Sequence, residues 1–323
     1  MASPNLSEIV TTTLRNRSKK LADNITDNHA LLYRLKEKGK VKPASGGRTI
    51  VNELEYAENG TFKYYSGYEA LDISPSDVFT AAEFDWKQAA VSVSISGLEQ
   101  LQNSGPDAVI DLLESRIGNA ERTMINNLAA GVYADGTGSS GKEIGGLQLL
   151  VADAPSTGTV GGIDRSSWSF WQNYAYDATT DGGGAASATT IQGYMNTVYL
   201  NVTRNNEAPD MIVADNNYYG FYWASLQNIQ RITNPKLGEA GFQNLKYMGA
   251  DVVFDGGLGG NCPSNHMYFL NTDYLSYRPH KDRNMVPLDP DRFSTNQDAM
   301  VKIIGWAGNM CLSNAQLQGV LKD

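Results

Sequence analysis

The chain has 323 residues, 41% of them hydrophobic, and a formal net charge of −9. That is enough for one large domain or two lobes with a real core, and the composition is that of a globular chain. No apolar run approaches a membrane span, and the N-terminal "MASPNLSEIVTTTLRNRSKK" lacks the apolar centre of a secretory signal, so folding in a cytoplasm and no membrane partner are expected. Cys262 and Cys311 have no partner at metal-site spacing and form no disulfide framework, so both are expected as buried thiols.

Charge is unevenly placed. Residues 1–44 carry nine Lys or Arg and four acids, which leaves the remainder strongly acidic. A basic arm on an acidic body can contact nucleic acid, pair with the body of another copy, or simply be solvated. Within it, "DNHALLYRLKEKGKV" puts Leu31, Leu32 and Leu35 on one helical side before Gly39 and Pro43, a short amphipathic piece with little core of its own. From Arg48 the period changes to that of strands. "RTIVNELEYAENGTFKYYSG" predicts strand, an Asn59-Gly60 turn and strand, because Asn-Gly accepts the positive φ of tight hairpins. After a polar connection, "AAVSVSIS" alternates Val91, Val93 and Ile95 with Ser92, Ser94 and Ser96, the pattern of a half-buried strand.

A long helix is predicted from Ser104-Gly105-Pro106-Asp107, with Pro near its first turn and an acid where the helix dipole favours one. Val109, Leu113, Ile117, Ala120, Met124 and Leu128 recur at helical spacing, so one face packs along its length, with Glu114, Arg116, Glu121 and Arg122 on the other. Beyond Gly145 the chain alternates: a helix near "TTIQGYMNTVYLNVTRN", a buried strand "DMIVAD", a helix "NNYYGFYWASLQNIQR", and strands in "LKYMGADVVFDG" and "HMYFLNTDYLSYRP". The last segment, Asp298–Leu321, predicts two strands joined near Gly308-Asn309, returning to the long helix.

Few residues suggest chemistry. "DGTGSSGKEIGG" carries Gly136, Gly141 and Lys142 at phosphate-loop spacing. Glu143, however, stands where a hydroxyl should hold magnesium, and the flanks are a helix and two glycines where a strand and a helix are needed. It reads as a connector. "GGLGGN", 256–261, follows a strand but runs into Cys262-Pro263 and reads as a turn. His29, His266 and His280 are far apart, and no serine or cysteine has a placed base. Tyr218, Tyr219, Phe221, Tyr222 and Trp223 lack interleaved cations and read as packing, and Asp289 and Asp291 as a turn. No catalytic, cofactor or metal residue is named.

The order of basic arm, long β excursion, long helix and Gly-rich connector, with the phrases "FTAAEFDWKQAAVSVSISGLEQLQNSG", "IGNAERTMINNLAAGVYADGTGSSG" and "IGGLQLLV", resembles a tailed-bacteriophage major capsid protein. The resemblance spans nearly the whole chain and implies an α+β fold of the Hong Kong 97 type. It implies an N-terminal arm at 1–45, an extended β loop at 46–96, and a peripheral domain with the spine helix at 97–139. An α/β axial domain would follow at 140–295, with C-terminal strands returning to the peripheral domain at 296–323.

The same resemblance implies self-assembly through pentamers and hexamers into an icosahedral shell in the host cytoplasm. That shell would enclose double-stranded DNA without sequence-specific binding. A scaffold protein, a portal and a decoration protein are the further partners it suggests. Some relatives cross-link a loop lysine to an asparagine; Lys63 lies in the loop, but no matching asparagine or acid is identified. The alternatives are an encapsulin-like compartment holding cargo enzymes, a nucleotide-binding enzyme using Gly136–Lys142, and a nucleic-acid-binding protein using the basic arm.

Overall fold

The structure, a computed structural model, describes residues 29–98, 106–226, 244–256, 260–288, 292–293 and 298–323. The first element is helix α1 (Ala30–Glu37), whose Leu31, Leu32 and Leu35 are completely buried in the main core. His29 caps it by accepting the Leu32 amide on Nδ1. On the outer side, Asp210 Oδ2 lies 3.1 Å from Arg34 Nε and 3.2 Å from Lys38 Nζ, while its Oδ1 accepts from the Thr272 amide at 2.7 Å. Beyond the helix, the Lys42 and Ala44 amides donate to Tyr277 and Pro279, so this stretch runs beside a strand of the body. Residues 29–35 are therefore anchored in the core and 36–45 run along the surface of the body, in place of the reaching arm expected for 1–45; the rest of that arm lies outside the described residues. Burying the three leucines gains roughly 1.5–3 kcal/mol each, which favours docking this stretch on the body.

Strand β1 (Ile50–Glu55) pairs antiparallel with β2 (Phe79–Phe84), Ile50 opposite Phe84 and Glu55 opposite Phe79. This corrects the expected hairpin at Asn59-Gly60. The returning strand must bury alternate residues beside Ile50 and Leu54, and Ala82 and Phe84 do so, whereas residues 62–77 are all exposed. β3 (Lys87–Ser96) follows, with Val93 and Ile95 buried and Ser92 and Ser94 exposed, as the alternation predicts. The long helix α2 (Pro106–Gly131) lays Ile117 and Ala120 on Val93 and Ile95, then carries Met124 and Leu128 into the main core. Val109 and Leu113 are outside the described side chains.

After a tight connector come a short hairpin, β4 (Thr159–Val160) and β5 (Ile163–Asp164), then β6 (Tyr174–Asp177), helix α3 (Ile191–Asn201), β7 (Met211–Ala214) and helix α4 (Asn216–Ser225). Asp215 caps α4 by accepting the Tyr218 amide at 3.0 Å. β8 (Asn244–Tyr247), β9 (Ala250–Phe254), β10 (His266–Leu270), β11 (Leu275–Pro279), β12 (Val286–Pro287), β13 (Arg292–Phe293), β14 (Ala299–Leu312) and β15 (Gly319–Lys322) complete the chain.

Two sheets result. One is mixed, in the order β6-β15-β10-β7-β9-β8, with α3 and α4 packed against it around Ile212, Val252, Met267 and Phe269. In the other, β14 pairs with β11, β12, β13 and, over ten residue pairs from Ala299↔Ser96 to Gly308↔Lys87, with β3.

Three sequence expectations change. The terminal segment does hold two strands, β14 and β15, but they join at 313–318: β14 passes straight through Gly308-Asn309, where a turn would break the β3 and β11 ladders. β15 returns to the six-stranded sheet and not to the long helix. β3 belongs with β14, and not with the 46–96 excursion.

Asn309 explains why no turn forms. Its buried amide accepts from the Gly145 amide at 3.1 Å and donates to the Asp85 carbonyl at 2.9 Å, tying the connector after α2 to the end of β2. Asn309→Leu leaves both backbone groups without this partner, and a stability loss of about 2–3 kcal/mol is expected from the shift of the denaturant midpoint.

Candidate assembly surface

The most unusual surface is the connection between β1 and β2. Phe62, Tyr64, Tyr65, Tyr68, Leu71 and Ile73 are exposed, with Tyr64 and Ile73 each 92% accessible. A single exposed apolar residue is ordinary, but six within twelve positions of one projecting segment mark a surface meant to be covered.

The segment is shaped by its own polar groups. Asn59 Oδ1 accepts from the Thr61 amide at 3.0 Å and from Ser76 Oγ at 2.9 Å, so one side chain ties the two legs at their neck. Lys63 Nζ donates to the Ala70 carbonyl, and Asp72 Oδ1 accepts the Ser74 amide. Bonds from the Ser74 hydroxyl and, to a lesser extent, its amide hold the Asp72 carboxyl below its usual range. The Asn-Gly motif thus acts as a clasp at the base, not as the turn itself.

The β1–β2 ribbon rests on the chain between Leu147 and Trp171. Gly161, at φ +59°, accepts the Glu83 amide at 2.9 Å, and a Cβ there would stand 2.9 Å from that of Ala82, so both backbone conformation and close approach require glycine. Tyr56 packs on Phe170 and Trp168 with centroids at 5.4 and 5.9 Å. Beneath, Arg165 is 1% exposed; its Nε donates to the Trp171 carbonyl and its two other nitrogens to those of Leu149 and Leu150. Burial lowers its pKa to about 10. Nothing in the local sequence identifies Arg165 as a central tie, because its partners lie in two other turns. Asn173 adds two bonds to the backbone of Ala152.

A cavity of about 600 Å³ lies beside this seat, lined by Tyr56, Phe170, Arg204, Glu207 and Asn314 among others. Of its charged groups, Arg204 is committed to Glu207 at 2.8 Å and Glu207 to the Tyr274 hydroxyl, while Glu55 and Glu58 also line it. No nucleophile and base meet there.

The other sequence candidates scatter. Lys142 is exposed, and Glu143 Oε2 accepts the Gly138 amide at 3.1 Å, a place where a phosphate oxygen would have to sit. The element before this loop is α2, and a Cβ on Gly146 would stand 2.4 Å from the Val132 carbonyl, so the connector folds tightly back on the helix end.

His29 Nε2 is 3.1 Å from Asp255, which also accepts the Tyr133 hydroxyl at 2.5 Å; His266 is at the start of β10, and His280 packs edge-on to Trp86. Among the described residues no group of three or more His, Cys, Asp or Glu is disposed to hold a metal, and no described helix is long and apolar enough to cross a membrane. Cys311 is buried, and Cys262 partly so. Tyr218 and Tyr222 are core residues of α4, as their lack of interleaved cations suggests, and Trp223 is partly exposed. Residues 257–259 of the "GGLGGN" loop, Asp289 and Asp291 lie outside the described residues.

No protein-family model matches the chain, and no curated protein matches it in sequence. Solved structures do. The capsid asymmetric unit of cyanophage A-1(L) aligns with a TM-score of 0.65 at 16% identity, over 88% of this chain and 90% of that one. The satellite phage P4 procapsid, which includes the size determination protein Sid, aligns at 0.54 and 12% identity over 94% and 97%. The SrpI encapsulin complex of Synechococcus elongatus PCC 7942 aligns at 0.52 and 8% over 87% and 83%. The chain has the mixed helix-and-sheet fold of these shell proteins, the fold expected from its sequence.

Proposed function

We propose that this chain is the major capsid protein of a tailed bacteriophage, many copies of which close into an icosahedral head around double-stranded DNA. The observation that carries the reading is the 56–78 connection: beyond its anchor at Tyr56, residues 62–77 are all exposed, so its six large apolar side chains are held out on a ribbon without cover from the body of their own subunit. A second copy supplies the missing cover, and heterologous contacts of this kind build closed rings and shells. On this reading the protein is structural and not an enzyme, is assembled in the host cytoplasm and resides in the virion, with pentamers and hexamers as the clusters. The α3–α4 sheet forms the axial domain, and α2 with the β3–β14 sheet forms the peripheral domain. Sid in the P4 procapsid supports a scaffold as partner; a portal and a decoration protein complete the proposed set.

Sedimentation of the purified protein, alone and with a scaffold, tests this. Uniform large particles are expected, while persistent monomers or small oligomers would contradict it. The SrpI likeness favours a second reading, a compartment around protein cargo. Shells containing one host protein and no nucleic acid would decide for that reading.

A further inference from the structure

His266 opens β10, and both nitrogens of its ring face groups that can only accept. Nδ1 lies 2.8 Å from the Ser264 carbonyl and Nε2 3.0 Å from Asp153 Oδ2. A neutral imidazole has one N–H and one lone pair, so it satisfies one of these contacts and sets lone pair against lone pair in the other. An imidazolium satisfies both. We propose that His266 is held protonated at neutral pH and clamps the Asp153 loop to the rim of the six-stranded sheet, a clamp that opens as the pH rises.

The charges around the ring fit this state. Lys322 of β15 stands directly opposite His266 and would repel a cation, but its Nζ is 2.7 Å from Asp177 Oδ2 on β6. On the other side Asp215, between β7 and α4, accepts the amides of Tyr218 and Asn265, and its own amide donates to the His266 carbonyl. Two neutral groups complete the surroundings: Tyr268 on the same strand, its ring 6.0 Å away, and Cys262 in the preceding turn, both pushed up by burial.

Burial alone lowers the proton affinity of His266, and the Asp153 and Ser264 acceptors outweigh it, so its pKa lies above the ordinary value. For a histidine with a raised folded-state pKa, the stabilisation is fully present below the unfolded value of about 6.5 and is lost as pH rises through the folded one. Arg165 and Asn173 hold the neighbouring backbone at Leu149, Leu150 and Ala152 by bonds that do not titrate near neutrality. The clamp therefore controls residues 153–158, and not the whole support of the ribbon.

The test uses the full chain with His266→Gln, Asp153→Asn and the double variant, with unfolding followed at about pH 6 and about pH 9. Asp153 is half-exposed, so its isosteric variant folds. A coupling between the two sites of about fivefold in the folded-to-unfolded ratio is expected at the lower pH, falling close to onefold at the higher. At the lower pH, deuterium uptake by residues 153–158 rises in either single variant. The parent reaches the variants' level at the higher pH, once the intrinsic exchange rate is corrected. Equal coupling at both pH values, or none at the lower, overturns the clamp. Neither readout requires shells to form, so this proposal and the proposed function can fail separately.

Discussion

Replacing Phe62, Tyr64, Tyr68 and Ile73 together by serine is expected to leave a folded subunit that no longer forms shells. All four are exposed in the single chain, so their removal takes nothing from its core, and the unfolding transition should stay within about 0.5 kcal/mol of the parent. In an interface the same side chains are worth roughly 1.5–3 kcal/mol each on full burial. Part of that is offset by ordering the segment, but a net loss on the order of 5 kcal/mol per contact weakens association more than a thousandfold. Circular dichroism checks the fold and sedimentation the assembly. Shells of normal yield from the quadruple variant would remove the 56–78 segment from the assembly account.

The largest effect on the isolated subunit is expected at Arg165. Arg165→Leu fills much of the same volume but leaves the carbonyls of Leu149, Leu150 and Trp171 without their donor in a closed site. With each unsatisfied group worth about 1–3 kcal/mol, a loss of about 3–5 kcal/mol is expected in denaturant unfolding. Arg165→Lys should recover only part of it, since one ammonium cannot reproduce the planar fork that reaches three oxygens. The damage should be felt in assembly too, because these turns carry Gly161 and the ribbon above it. A change under about 1 kcal/mol in the leucine variant would mean that other contacts hold the turns.

How far the sequence foretells this molecule depends on whether a residue's partners are local. Val91, Val93 and Ile95 alternate with serines because one face of β3 meets α2 and the other meets water, and that pattern is readable in eight residues. The same holds for the α2 face from Ile117 to Leu128 and for the four buried residues of β7.

Asn59-Gly60 misleads because its signal reports only the backbone that Asn-Gly tolerates. The pairing of β1 was decided by Ala82 and Phe84, which fit beside Ile50 and Leu54. The basic stretch 1–44 misleads in another way: its net charge averages a helix that is core, with Arg34 and Lys38 paired to Asp210, and residues outside the described structure. Arg165, Asn309 and the Asp153–His266 pair could not be found by pattern, since each joins segments brought together only by the sheets. The stretch 62–73 misleads too: its first residues read as a strand and the rest as a polar connection, because Tyr68, Leu71 and Ile73 are spaced among polar residues, and only their exposure in the structure marks them as a surface.

Electron cryo-microscopy of assembled particles, at a resolution that traces the β1–β2 connection, shows what covers the segment. Closed shells are expected in which Phe62, Tyr64, Tyr68 and Ile73 of each subunit are buried against a neighbouring copy. Closed shells in which this segment stands free in solvent, or a protein that never assembles beyond small oligomers, would contradict the proposed assembly.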